Sequence, residues 1–161
     1  MERFTFFYRT ESPFSQWHPA DFEIGGVHYN CAEQYMMYRK AVLFGDEETA
    51  GKILTALTPR EQKELGRRVR GFDKNQWEAQ CRQFVYEANH AKFTQNPQLL
   101  EILLATKGTT LVEASPTDRI WGVGLEESDP RIRNRATWRG TNWLGEMLTK
   151  LREDLLAGSS Q

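Results

Sequence analysis

The apolar periodicity of this chain changes once, near residue 30, and that change limits what it can fold into. Before it, the runs are short. Residues 3–8 alternate and are rich in rings, and Phe22–Ile24 and Val27–Tyr29 flank Gly25-Gly26. The first run predicts a strand, and two glycines between two short apolar runs are a two-residue turn signal for a hairpin. From Cys31 the spacing becomes three to four. Tyr35, Tyr38 and Val42, with Met36, predict a helix stopped at Gly45. Residues 49–57 predict a short helix, and Thr58-Pro59-Arg60-Glu61 is a capping box with proline at the first helical position, opening a helix to about Val69. Asp73 caps a long helix to about Phe93, with Trp77, Cys81, Phe84, Val85 and Ala88 on one side. Asn96-Pro97 opens a further helix through Leu99, Leu100, Leu103 and Leu104, ended near Gly108. Thr110–Glu113 predicts a strand, and a last helix runs from about residue 141 to 156 with Leu144, Met147, Leu148, Leu151 and Leu155 inward. The expected fold is a single helix-rich α+β domain with a small β-sheet over residues 1–157, followed by a frayed tail at 158–161.

Composition narrows the function classes. The chain has 161 residues with 21 basic and 22 acidic side chains, a formal net charge of −1, which excludes a coat for nucleic acid held by bulk charge. Two cysteines and three histidines, without HExxH or CxxC, give no metal-ligand spacing, so neither a catalytic metal nor another cofactor is expected. The first residues lack the pattern of a signal peptide, and no apolar run approaches the ~18 residues of a membrane span. A cytoplasmic protein with no membrane partner is the expectation. Aromatic residues make up 12%, and such rings can stack on bases.

Several residues could carry chemistry. Glu33 and Lys40 lie seven apart on the first predicted helix, and seven steps of 100° fall within about 20° of two full turns. An acid and an amine on one face, with Met36 and Met37 between them, could have shifted proton affinities and serve acid–base or amine chemistry. The plain alternative is two solvated helix residues. Trp121-Gly122-Val123-Gly124, after Asp118-Arg119-Ile120, could bring backbone close to a ligand or could be a tight turn under a Trp. Arg131, Arg133, Arg135 and Arg139 surround Trp138 in a segment, residues 126–140, that carries charges of both signs. Guanidinium groups there could meet phosphate, or the charges could simply offset one another. Asn142 stands where the last helix begins, as its N-cap or as an amide directed at a ligand. Cys31 has no histidine base nearby in sequence, and a small buried thiol is the expectation for it.

Four segments taken in order resemble the NADAR superfamily of N-glycosidases, of the YbiA-like type. They are Phe14-Ser15-Gln16-Trp17-His18-Pro19, then Ala32-Glu33-Gln34-Tyr35 with Lys40, then residues 118–124, and last Gly140-Thr141-Asn142-Trp143-Leu144-Gly145. The resemblance implies cleavage between the anomeric carbon of ribose and an amine nitrogen, with Glu33 and Lys40 catalytic. It also implies substrate contacts from Ser15, Trp17, His18, Asp118, Trp121, Gly122, Arg131 and Asn142. Some family members act on phosphoribosyl-aminopyrimidines of riboflavin synthesis. Others remove ADP-ribose from guanine in DNA or nucleotides, and a counterpart ADP-ribosyltransferase toxin would be the partner of such an enzyme. Val123 stands here where the riboflavin branch carries an Asp and a short Gly-rich connection. The long arginine-bearing segment in place of that connection suits a diphosphate, so ADP-ribosylated guanine is the favoured substrate. The alternatives are the riboflavin intermediates and a module that binds ADP-ribose or nucleotide without cleaving it.

Overall fold

The hairpin turn and the Thr58 and Asp73 caps are where the local chemistry places them, while Asn96, expected to cap the helix at Pro97, turns its amide to the Asp21 and Lys92 carbonyls. The computed structural model describes residues 1–159. Its elements are β1 (Phe4–Phe7), β2 (Phe22–Ile24), β3 (Val27–Tyr29), α1 (Ala32–Leu43), α2 (Glu47–Thr55), α3 (Pro59–Arg67), α4 (Lys74–Thr94), α5 (Pro97–Leu104), β4 (Thr110–Glu113) and α6 (Trp143–Ser159). Two single-turn 3-10 helices, Pro130–Arg133 and Arg135–Thr137, precede α6. The class is α+β, and the strands form two separate two-stranded ladders. Because α6 continues to Ser159, only residues 160 and 161 of the expected tail lie outside the described residues. The chain divides into two compact units, Gln16–Pro97 and Met1–Ser15 with the chain from Gln98 onward.

In the unit Gln16–Pro97, β2 and β3 pair antiparallel through Gly25 and Gly26, whose φ of 61° and 80° is the left-handed pair a tight hairpin turn requires. Phe22, Tyr29, Ala32, Tyr35, Phe84, Ala88 and Ala91 form the core beneath α1 and α4. The Tyr29 ring stacks on Phe22 at 5.7 Å and meets the Tyr35 ring edge-on at 5.1 Å. Val42, expected inward, is 48% exposed, while Met37 is buried. α1 packs on α2, α3 and α4 together, and Met37 takes its buried place against Gly66 of α3.

Buried amides lock the start of α1. Gln34 accepts the Asn30 N–H at 2.7 Å through Oε1 and donates through Nε2 to the Ile53 carbonyl at the end of α2 at 3.0 Å. Gln62 of α3, fully buried, donates to Asn30 Oδ1 and the Ala56 carbonyl and accepts from the Cys31 thiol. Asp46 caps α2 and also accepts the Arg70 N–H and guanidinium, which ties the segment after α3 to the start of α2.

In the other unit, β1 runs parallel to β4, and Leu144, Leu148 and Leu151 of α6 are fully buried. Val112, Ala114, Val123, Leu125 and Ile132 form its core, with Phe4, Phe6 and Trp138 packed against them. Asn142 sits at the entry to α6 with φ of 53°, and its carbonyl accepts the Glu146 N–H as an N-cap carbonyl does. Its side chain does not cap the helix. Oδ1 accepts the Glu113 N–H at 3.0 Å and Nδ2 donates to the Leu111 carbonyl at 3.0 Å, so the amide serves β4 as a neighbouring strand would. Replacing Asn142 by Ala would leave two backbone groups of β4 without partners. A loss of about 2–4 kcal/mol is expected, read as a lower denaturant midpoint with unchanged slope. Asn142→Asp should not restore it, because a carboxylate oxygen would face the Leu111 carbonyl.

Candidate active site

Glu33 enters α1 in its first turn, where an acidic side chain is favoured by the helix dipole, yet it is only 4% exposed. Its own N–H donates to the Gln16 carbonyl at 3.0 Å, so the loop before the hairpin closes over the helix start. Burial at this level removes the reading of Glu33 as a solvated helix residue. The Gln16 side chain is itself buried and accepts from Asn89 Nδ2 at 2.9 Å, leaving its Nε2 with no hydrogen-bond partner. That buried amide pair had no signature in the sequence, because the two residues stand 73 positions apart.

Lys40, two turns along, is half-buried. Its Nζ lies 4.7 Å from the centre of the Phe72 ring and 5.5 Å from that of Trp77. Burial among these rings pushes its proton affinity below the ordinary lysine value. The Glu33 carboxylate opposes that shift, and the Arg67 guanidinium of α3 adds to it by repulsion. The structure thus brings Glu33 and Lys40 into electrostatic contact and sets both among apolar groups. An amine with a lowered proton affinity beside a buried acid is equipped to act as a nucleophile with a proton shuttle at hand. Cys31, two residues before Glu33, is the buried thiol expected of it. Its Sγ donates to Gln62, and burial pushes its pKa up to about 11.

The remaining expected contacts divide between the units. In Gln16–Pro97, Trp17 walls a cleft of about 340 Å³ with Asn30, Leu57, Pro59 and Asn96, and Lys63 Nζ sits 5.8 Å from its ring. His18 is half-buried. In the other unit lie Ser15, Asp118, Trp121, Gly122, Arg131 and Asn142. Asp118 Oδ1 accepts the Ile120 and Trp121 N–H groups at 2.9 and 2.8 Å, which folds the loop, and the Gly122 carbonyl accepts the Asn142 N–H. Trp121 is half-buried, edge-on to Trp143 at 5.7 Å.

Arg131 is held by Asp129 through Nε at 3.0 Å and Nη2 at 2.6 Å, and this contact lowers the Asp129 pKa to about 2. Arg135 pairs with Glu2 and Glu146. The arginine-bearing segment is therefore built into its unit by local carboxylates and by Ile132, which is fully buried. Two exposed guanidiniums of this unit, on Arg119 and Arg139, have stems packed against Gly124. Among the described residues, no cluster of His, Cys, Asp and Glu is arranged to hold a metal ion, and no helix is long and apolar enough to cross a membrane.

Comparison with known proteins gives the family of the chain. The sequence model of the NADAR domain matches residues 6–156. The chain belongs to the NADAR family. It is 40% identical to protein irg-1 of Caenorhabditis elegans, over 94% of this chain and 79% of that protein. It is 44% identical to an N-glycosidase of Acanthamoeba polyphaga mimivirus, over 88% of this chain and 86% of that one. The chloroplastic riboflavin biosynthesis protein PYRR of Arabidopsis thaliana matches at 38% over 68% of this chain, which spans 17% of that longer protein. The NMR structure of the E. coli protein YbiA superposes with a TM-score of 0.81 at 28% identity, covering all of this chain and 90% of that one.

The state of Lys40 has a consequence for stability. Its folded-state pKa lies below the ordinary value of 10.5, so protonation favours the unfolded chain. The full stability of the neutral amine is present above that ordinary value and is lost as pH falls through the lowered one. Lys40→Met should therefore be at least as resistant to denaturant as the wild type at pH 7. Its advantage should narrow as the pH is raised toward 10.5, which denaturant titrations at several pH values would read.

Proposed function

We propose that this NADAR protein is an N-glycosidase that cleaves the bond between ribose C1 and an amine nitrogen, with Lys40 as nucleophile and Glu33 as proton shuttle. The observation that carries the reading is a buried acid and a half-buried amine, two turns apart on α1, with the amine's proton affinity lowered. The names of relatives from the mimivirus and from Shigella, each an N-glycosidase, support the reaction class.

An amine-linked ribose offers a route that an ordinary glycoside does not. The linking nitrogen pushes its lone pair toward C1, the bond from C1 to the ring oxygen breaks, and that oxygen takes the proton that the Lys40 ammonium passes through the Glu33 carboxylate, which leaves Lys40 neutral. The neutral Lys40 amine adds to C1 of the resulting iminium. The bond from C1 to the base nitrogen then breaks, the leaving nitrogen takes a proton, and Lys40 is left as a Schiff base. Water adds to it and releases the ribose with the free amine restored. Borohydride added during turnover should join the ribose portion of the substrate to Lys40, detected by mass spectrometry of the peptide. Lys40→Arg should abolish activity, and Glu33→Gln should lower it by about 10²–10⁴-fold. Substantial activity in Lys40→Arg would favour the other scheme, in which Glu33 activates water against an oxocarbenium-like centre and Lys40 only binds.

For substrate, ADP-ribose on guanine, in DNA or nucleotide, is the first reading. Support comes from the length and arginine content of the segment at 126–139, which suit a diphosphate. Arg131 would have to exchange Asp129 for a phosphate to take part. The likeness to a plant riboflavin biosynthesis protein favours phosphoribosyl-aminopyrimidines as the second reading. Purified protein offered both substrates separates them. The first reading expects free ADP-ribose from ADP-ribosylated guanine, the second expects ribose 5-phosphate from the aminopyrimidine, and a module that only binds would release neither.

A further inference from the structure

The end of α3 meets α1 on the face that carries the acid and the amine. Glu33, Met37 and Lys40 stand at positions i, i+4 and i+7, so Met37 lies between the other two on one stripe. Gly66, in the last turn of α3, comes so near that a β-carbon on it would stand 2.1 Å from the Met37 sulfur. Only a residue without a side chain lets α3 approach this closely while Met37 keeps its place. The next residue, Arg67, ends α3 and stands near enough to Lys40 for its guanidinium to act on the amine by repulsion. It is exposed, and among the described residues no hydrogen bond, ion pair or ring contact engages its guanidinium. Three neighbouring cations are already engaged, whereas Arg68, the next residue, is exposed like Arg67 and serves below as the control. Arg39 meets Glu87 and Tyr35, Arg70 meets Asp46 and Glu48, and Lys63 sits over Trp17.

Both substrate classes named above share one group. The ribose attacked at C1 carries a phosphate on its 5′ oxygen, one furanose ring away from that carbon. A guanidinium takes a phosphate through two parallel hydrogen bonds, which fixes orientation as well as position.

We propose that Arg67 is the anchor for the 5′-phosphate of the substrate ribose, and that it sets C1 over the Lys40 amine. The proposal rests on the N-glycosidase reading and extends it to a residue outside the four family-like segments. Before substrate arrives, the same guanidinium repels the Lys40 ammonium, so one side chain both selects the phosphorylated sugar and lowers the proton affinity of the amine.

The test uses ribose 5-phosphate and ribose as calorimetric probes of the wild type, Arg67→Ala, Arg67→Lys and, as a neighbouring control, Arg68→Ala. Wild type should prefer ribose 5-phosphate over ribose by about 10- to 100-fold. Arg67→Ala should lose that preference, Arg67→Lys should keep part of it, and Arg68→Ala should keep all of it. In turnover, Arg67→Ala should raise KM for the phosphorylated substrate by a similar factor and leave KM for the dephosphorylated one unchanged, so that its effect on the latter is confined to the pH profile. Its kcat/KM should also rise with pH only at a higher pH than in the wild type, while Arg67→Lys keeps the original profile. Three results would overturn the anchor: no wild-type preference for ribose 5-phosphate, equal losses on both sugars, or the same loss in Arg68→Ala. A wild type that shows the Arg67-dependent preference yet cleaves no N-glycoside would overturn the enzymatic reading and leave the anchor standing.

Discussion

Short elements have many backbone ends for their length, and a buried N–H or C=O left without a partner costs more than a single hydrogen bond returns. In this protein side-chain amides satisfy those ends at the points where elements meet. Gln34 joins the start of α1 to the end of α2, and Gln62 brings α3 onto the same junction through Asn30 and Ala56. In the other unit Asn142 completes the hydrogen bonding of β4 while it admits the chain to α6. Each amide offers a donor and an acceptor on a planar group, which is what a peptide neighbour would have offered.

The chemistry of α1 follows from that junction. With its start locked, the helix can bury Glu33 in the first turn against the Gln16 carbonyl and present Lys40 two turns on beneath Phe72 and Trp77. Asp46 contributes at a distance, because its hold on Arg70 fixes the segment that carries Phe72. Burial then sorts the candidate nucleophiles by the sign of their charge. It disfavours whichever form is ionised, so it suppresses the Cys31 thiolate and promotes the neutral Lys40 amine. One physical effect silences a thiol and prepares an amine within three turns of the same helix.

Much of the local structure was legible in the residues. Thr58 and Asp73 each cap a helix through a side-chain oxygen, as their positions imply, and Asp46 does the same for α2, which begins at Glu47 rather than at 49. At the capping box, the Glu61 carboxylate turns to the Thr58 hydroxyl. The hairpin glycines take the left-handed conformation their spacing implies. The departures have tertiary causes. Val42 faces solvent, and Met37 takes a buried place against Gly66 of α3 that helical spacing alone did not assign to it. The arginines near 131–135 are matched by Asp129, Glu2 and Glu146, and two of those acids are too far along the chain for spacing to reveal the pairing. Asn142 lies at a helix start as expected, yet its side chain serves a strand.

The sequence by itself determined the class of fold, the order of its elements, and the placing of Glu33 and Lys40 on one face, because helical periodicity and capping are properties of neighbours a few residues apart. It also carried the likeness to the NADAR family in four ordered segments. Only the tertiary structure decided that Glu33 is buried, that Lys40 lies under two rings from α4 and the segment before it, and that Arg67 stands free beside them. Those facts depend on which helix packs against which, and desolvation and charge repulsion act between groups that the chain alone keeps far apart.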